Sequence, residues 1–145
     1  MTLSARLAAI VDALPLRPGM RVIEIGCGPG AAARAVAERV GPSGHVLAID
    51  RSVKAIALIN STASDLITND RLVARCCDAE HFELEPAEAL YDLAFAIRVG
   101  VFDGRHEEGR ANAIDCVRRA LTSQGRFFID GGDPLQEIDL RQQLH

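Results

Sequence analysis

One carboxylate and three glycines set out the chemistry available to this chain. In VIEIGCGPG, Val22 to Gly30, Glu24 stands two residues before Gly26, and Gly28 and Gly30 follow at alternate positions. Apolar residues lead into the glycines, and a small-residue segment, AAARAVAERV, follows them. Glycine has no Cβ, so it lets the backbone turn sharply and lets a ligand approach closely. A strand, such a turn and a helix start form the ligand crevice of an open α/β sheet. Asp50 closes the next apolar run. An acid about 20 residues past such a turn accepts hydrogen bonds from ribose hydroxyls. Together these residues point to a nucleotide or nucleoside cofactor. Asp50 could instead be a helix cap or a solvated loop charge, but Ser52 can cap the following helix and leave Asp50 free.

The glycines alone do not choose the cofactor. Gly26, Gly28 and Ala31 satisfy the dinucleotide pattern G-x-G-x-x-G/A literally. Glu24 and Gly30 separate the alternatives. A strand buried on both faces is normally apolar where Glu24 sits, and a carboxylate there needs a cation or a donor nearby. Arg51, beside Asp50, can stack its guanidinium plane on a base. It could also favour the 2′-phosphate of an NADP-type cofactor, although Asp50 would repel that phosphate.

The string E-x-G-x-G-x-G closely resembles motif I of the class I S-adenosylmethionine-dependent methyltransferases. The resemblance runs from Arg17 to Gly132. It implies S-adenosylmethionine as cofactor, backbone contact from Gly26, Cys27 and Gly28, and Glu24 near the ammonium of the methionine half. Asp78 and Ala79, just past the third strand, resemble the family's adenine-binding pair. By itself Asp78 would read as an ordinary surface-loop acid. Asp92 fits the start of the motif IV strand. The segment after that strand, Arg98 to Gly109, is implied to meet the substrate; Arg98, at its beginning, is counted with the cofactor residues. Asp103, Arg105 and His106 are its substrate-side candidates. His106 could act as a general base, or simply be a loop residue near a helix start, and Asp103 or Gly104 could cap that helix. Methyl transfer depends mainly on proximity and orientation, so no catalytic side chain is required. The Asn-Pro-Pro-Tyr motif of amino-directed DNA methyltransferases is absent.

These residues need a scaffold. The pattern predicts a doubly wound α/β fold in one domain over residues 1–145, with a mainly parallel sheet in the order 3-2-1-4-5 and helices on both faces. Strands are expected at Arg21–Ile25, His45–Ile49, Leu72–Cys76, Tyr91–Ile97 and Arg126–Asp130. Helices are expected from Leu3 to Leu14, with Thr2 as N-cap, and over Ala31–Val40, Val53–Ile67, Glu107–Leu121 and Leu135–Leu144. Thr122-Ser123-Gln124-Gly125 is expected to turn into the fifth strand. The family's common core has seven strands ending in a hairpin, so this chain reads as a short form lacking that hairpin. Strand 5 would then be a bare edge, which invites pairing. The expectation is a homodimer through that edge or the last helix.

Composition bounds the rest. Of the 145 residues, 48% are hydrophobic and 25% charged, which suits a folded globular protein. A net charge of −4 argues against a nucleic-acid acceptor and leaves a small molecule as the expected one. Charge interrupts the N-terminal apolar residues, so neither a membrane span nor a signal peptide is expected, and the chain reads as cytoplasmic. Cys27, Cys76, Cys77 and Cys116 show no metal-ligand spacing. They are expected to be buried free thiols, with no metal site. Two other functions compete: a non-catalytic cofactor-binding subunit and an NAD(P) oxidoreductase. The second lacks a Tyr-x-x-x-Lys pair, Lys54 being the only lysine.

Overall fold

Alternation along the first strand decides the layering of the molecule. The computed structural model describes residues 3–141. Strand β1 (Arg21–Ile25) sends Val22 and Glu24 to one face of the sheet and Ile23 and Ile25 to the other. The first face is covered by α1 (Ala5–Ala13), α2 (Ala31–Val40), α3 (Val53–Thr62) and α4 (Ser64–Thr68). The second is covered by α5 (Gly100–Asp103) and α6 (Arg110–Ala120). The remaining strands are β2 (His45–Asp50), β3 (Leu72–Cys76), β4 (Tyr91–Ala96), β5 (Leu121–Asp130) and β6 (Leu135–Ile138). The order is β3-β2-β1-β4-β5-β6, with β6 antiparallel to β5 and the other pairs parallel. Helices on both faces and the reversal of winding between β1 and β4 are those expected. No helix among the described residues is long and apolar enough to cross a membrane.

Where the elements differ from expectation, particular groups are responsible. The helix expected over Val53–Ile67 breaks at Ala63, which has ψ of 30°. The hydroxyls of Ser61 and Thr62 bond back to Leu58 O at 3.0 and 2.8 Å, and Arg34 captures the Thr62 carbonyl. Side chains thus compete with the helical ladder for its acceptors. Ser4, not Thr2, caps α1 by accepting from Leu7 N at 3.2 Å; Thr2 lies outside the described residues. Helix α6 starts at Arg110, after Gly109 in a left-handed conformation, so neither Asp103 nor Gly104 caps it. The expected turn at Thr122–Gly125 is a bulge within β5: pairing jumps from Tyr91↔Leu121 to Leu93↔Arg126.

The expected helix over Leu135–Leu144 is instead β6 as far as Ile138, and Leu144 lies outside the described residues. A spacing of three places Leu135 and Ile138 on one side of a helix but on opposite faces of a strand. Both faces of this sheet carry an apolar layer, and each residue joins one of them. Gly132 lets the chain reverse, since a Cβ there would stand 2.0 Å from Leu135 O. Arg126 then forks onto Glu137 across the strands at 3.0 and 2.8 Å. Strand β5 is therefore not a bare edge, and the reason for expecting a homodimer through it falls away.

Candidate functional site

The C-terminal ends of β1, β2 and β4 meet around the glycine turn. Gly26 N and Cys27 N both donate to Ile49 O, at 2.8 and 3.0 Å, which draws the turn over the end of β2. Asp50 fixes it there: one carboxylate oxygen accepts from Gly28 N and the other from Ser52 N, each at 2.8 Å. Ser52 caps α3 through Ala55 N, as expected, but Asp50 is not idle. The N–H groups of Gly26, Cys27 and Gly28 are thus engaged within the protein, so backbone contact with a ligand would fall to their other backbone atoms. What the turn still offers is surface without Cβ atoms. Nothing lies within 4 Å of where a Gly28 Cβ would point.

Gly26 and Gly30 are required for a different reason. A Cβ on Gly26 would stand 2.6 Å from Val99 Cγ2, and one on Gly30 would stand 2.7 Å from Ile59 Cγ1. Both have left-handed φ, +72° and +92°. Gly30→Ala combines overpacking with a disfavoured backbone and is expected to destabilise the fold by about 2–4 kcal/mol. Gly28→Ala meets open space and should cost only about 1–2 kcal/mol. Urea unfolding of the two variants checks the difference.

Glu24 lies beneath this turn, 3% exposed, and its Oε1 has no hydrogen-bond partner. Burial raises its pKa well above the ordinary carboxylate range; the charge of Asp50 adds to this, and the Ala33 backbone amide in α2 partly offsets it. A buried acceptor without a donor is costly and is rarely left so. Burial, and next the charges of Glu24 and Asp50, likewise push the Cys27 thiol up, so it stays protonated. Of the other thiols, Cys116 is buried, Cys77 is half-buried and Cys76 is exposed, so the expectation of uniform burial holds for only two of the four. Burial holds the Cys77 thiol at about 11.

Beside the turn opens a cavity of about 280 Å³. Gly26, Asp50 and Arg51 line it on the β1–β2 side, Asp78 and Ala79 beyond β3, and Arg98 and His106 on the β4 side. The structure thus brings together Gly26, Asp50, Arg51, Asp78, Ala79, Arg98 and His106 around one cavity, whereas Glu24, Cys27, Gly28 and Gly30 do not line it. The Asp78 carboxylate forms an Asx turn with Glu80 N at 3.1 Å and meets His81 Nδ1 at 2.7 Å through the same oxygen, Oδ1. Asp92 lies at the opposite end of β4, where it accepts from Arg21 N at 2.8 Å and joins β4 to β1. Asp103 and Arg105 do not line the cavity. They form a two-oxygen pair at 3.0 and 2.9 Å, which holds the Asp103 carboxyl below its usual range. Arg105 also donates to Arg98 O at 2.8 Å. These two substrate-side candidates therefore brace the wall and do not present polar groups to the cavity.

Sequence reasoning included Val99 and Gly100 in the Arg98–Gly109 segment without singling them out, and it gave Asp130 no role at the site. Val99 packs on Gly26, and His106 packs so closely on Gly100 that a Cβ there would fall 2.4 Å from the His106 ring. Asp130 accepts from Arg98 N at 3.0 Å and from Arg6 at 2.8 Å. Asp130 ends β5 just as Asp50 ends β2, and that strand-end position was the available signal. Among the described residues no cluster of three or more His, Cys, Asp or Glu could hold a metal. A larger groove, about 750 Å³, runs between the end of α6 and β5–β6. Its Arg118, Arg126 and Arg141 already pair with Asp115, Glu137 and Asp139, and it contains none of the predicted residues.

Comparison with known proteins agrees with this geometry. Residues 16–144 match the family model described as "Methyltransferase domain". Ribosomal RNA large subunit methyltransferase E of Acidithiobacillus ferrooxidans is 30% identical over 124 residues, covering 85% of this chain and 53% of that protein. The chain thus spans about half the length of this relative. The crystal structure of the 4+2 cyclase SpnF has a TM-score of 0.69 at 22% identity, over 85% of this chain and 42% of that one. A methyltransferase from Geobacter sulfurreducens, solved with S-adenosyl-L-homocysteine, has a TM-score of 0.66 at 24% identity, over 88% and 47%. These two structural likenesses show a shared Rossmann-like fold. Taken with the match over residues 16–144, they show that the chain belongs to the class I S-adenosylmethionine-dependent methyltransferase family.

Proposed function

We propose that this chain binds S-adenosylmethionine in the cavity at the β1–β2–β3 strand ends and methylates a small-molecule acceptor entering beside β4. The observation that carries the reading is Glu24 Oε1, buried and without a partner, on the residue just before the cavity-lining Ile25 and Gly26. An ammonium would satisfy it. A pyrophosphate would bring further negative charge to a site where Asp50 already disfavours the ionised form of Glu24. The fit is therefore to the phosphate-free cofactor, and an NAD(P) ligand is disfavoured.

The remaining roles follow from position. Asp50 keeps free lone pairs after bracing Gly28 and Ser52, and these can accept from ribose hydroxyls. Asp78 and the Ala79 backbone would read the adenine edge, and Arg51 would stack on or flank the base. Gly28 lets the turn lie close to the ligand and Gly30 lets it pack on Ile59, while Cys27 contributes backbone and an inert thiol. The bound cofactor supplies an electrophilic methyl group on a sulfonium. The protein holds the acceptor in line with it, and Val99, Gly100 and His106 line the β4 side of the cavity. His106 is within the cavity lining and can take up a proton released by the acceptor.

Calorimetric titration with S-adenosylmethionine, S-adenosylhomocysteine and NADPH tests this reading. The first two should bind at one site per chain, and NADPH should not compete. Binding of NADPH in preference to S-adenosylhomocysteine would overturn it.

A further inference from the structure

We infer that Arg98 holds a carboxylate of the methyl acceptor, an inference that rests on S-adenosylmethionine occupying the β1–β3 side of the same cavity. Nearly every arginine in this chain is engaged, as in Arg75 with Glu88 and Arg126 with Glu137. Arg17, Arg51 and Arg98 are those whose guanidinium makes no hydrogen bond or ion pair among the described residues. Two of these three, Arg51 and Arg98, line one cavity. Arg51 stands beside Asp50 on the proposed adenosine side, whereas Arg98 stands at the end of β4.

The backbone of Arg98 is held with unusual care. Its N–H donates to Asp130 Oδ1 at 3.0 Å, and its carbonyl accepts from Arg105 at 2.8 Å. Asp130 is in turn paired with Arg6, and Arg105 with Asp103. The nearby carboxylates are thus occupied without touching the Arg98 guanidinium. The residue sits at φ of +59°, a left-handed conformation that glycine would adopt without strain. Such strain persists where the surroundings over-determine it, and it gathers at ligand sites. What a glycine would lack here is the guanidinium. A planar guanidinium fork matches a carboxylate through two parallel hydrogen bonds. Asp50, Asp78 and Glu80 line the other side of the cavity, which favours a monoanionic carboxylate over a doubly charged phosphate. The carboxylate could come from the acceptor or from the methionine half of the cofactor, and the two sources separate experimentally.

The test uses the full chain saturated with S-adenosylhomocysteine. Acetate, acetamide and inorganic phosphate are titrated in turn while the Arg98 Nε–H resonance is followed by NMR. Acetate should shift it saturably, phosphate less so, and acetamide not at all. Calorimetry on Arg98→Gln and Arg98→Gly should find S-adenosylhomocysteine affinity within roughly threefold of wild type. Arg98→Gly keeps the backbone conformation accessible, so a loss of response cannot be put down to misfolding. No acetate response, or an equal response to acetamide, would overturn the inference. A loss of about tenfold or more in both variants would also overturn it, by assigning Arg98 to the cofactor's own carboxylate. If the wild-type chain takes no S-adenosylhomocysteine, the cofactor reading fails separately, and acetate titration of the free chain still reads Arg98.

Discussion

Glu24→Gln is expected to remove about 2–5 kcal/mol of affinity for S-adenosylhomocysteine, the range for truncating one partner of a buried charge pair. The ligand-free fold should meanwhile be at least as stable at pH 8 as the wild type. Glu24 is enclosed, its Oε1 lacks a donor, and burial raises its pKa, with Asp50 reinforcing the shift. A raised folded pKa means that the ligand-free fold holds a proton which the unfolded chain has released. Stability therefore falls as pH rises from the unfolded carboxylate value, about 4.3, up through the folded one, and the full penalty is present above that. Glutamine, which does not ionise, should flatten this part of the profile. Ligand binding has the opposite slope: an ammonium favours the ionised carboxylate, so affinity should increase with pH over the same interval and lose that dependence in the variant. Calorimetry between pH 5.5 and 8, with urea unfolding alongside, reads both slopes. A Glu24→Gln variant that bound like the wild type would remove the observation on which the proposed function rests.

The sequence made this residue visible because a carboxylate interrupts an apolar strand at a point set by its distance from Gly26. The same local grammar located the ends of β1, α2 and β3, where strand alternation and glycine breaks agree. It failed where tertiary contacts decide. Leu135 and Ile138 carry a helical spacing, but they become a strand because β5 offers an unpaired edge and Gly132 permits the reversal. Ser61 and Thr62 looked like ordinary helix residues until their hydroxyls turned on Leu58. At the site, Asp50, Asp78 and Arg98 could be located because strand ends are fixed by topology. The bracing role of Asp103 and Arg105 could not, since it depends on where the Arg98 carbonyl points in three dimensions.

Asp50→Ala should weaken S-adenosylhomocysteine binding by about 1.5–3 kcal/mol, the loss of charge-assisted hydrogen bonds. The structure adds a second consequence. The carboxylate satisfies Gly28 N and Ser52 N together, so the variant leaves two amides without their acceptor and frees the glycine turn. Unfolding free energy should drop by about 1–3 kcal/mol. These two effects would be confounded in a single binding measurement, because a loosened turn also binds poorly. Comparison of S-adenosylhomocysteine with its 2′-deoxy analogue separates them. If Asp50 accepts from the ribose, the wild type should bind the deoxy analogue more weakly, and Asp50→Ala should bind the two ligands nearly alike. If the variant retained the full wild-type gap, Asp50 would act only by bracing the turn, and the ribose contact would have to be sought on another residue lining the cavity.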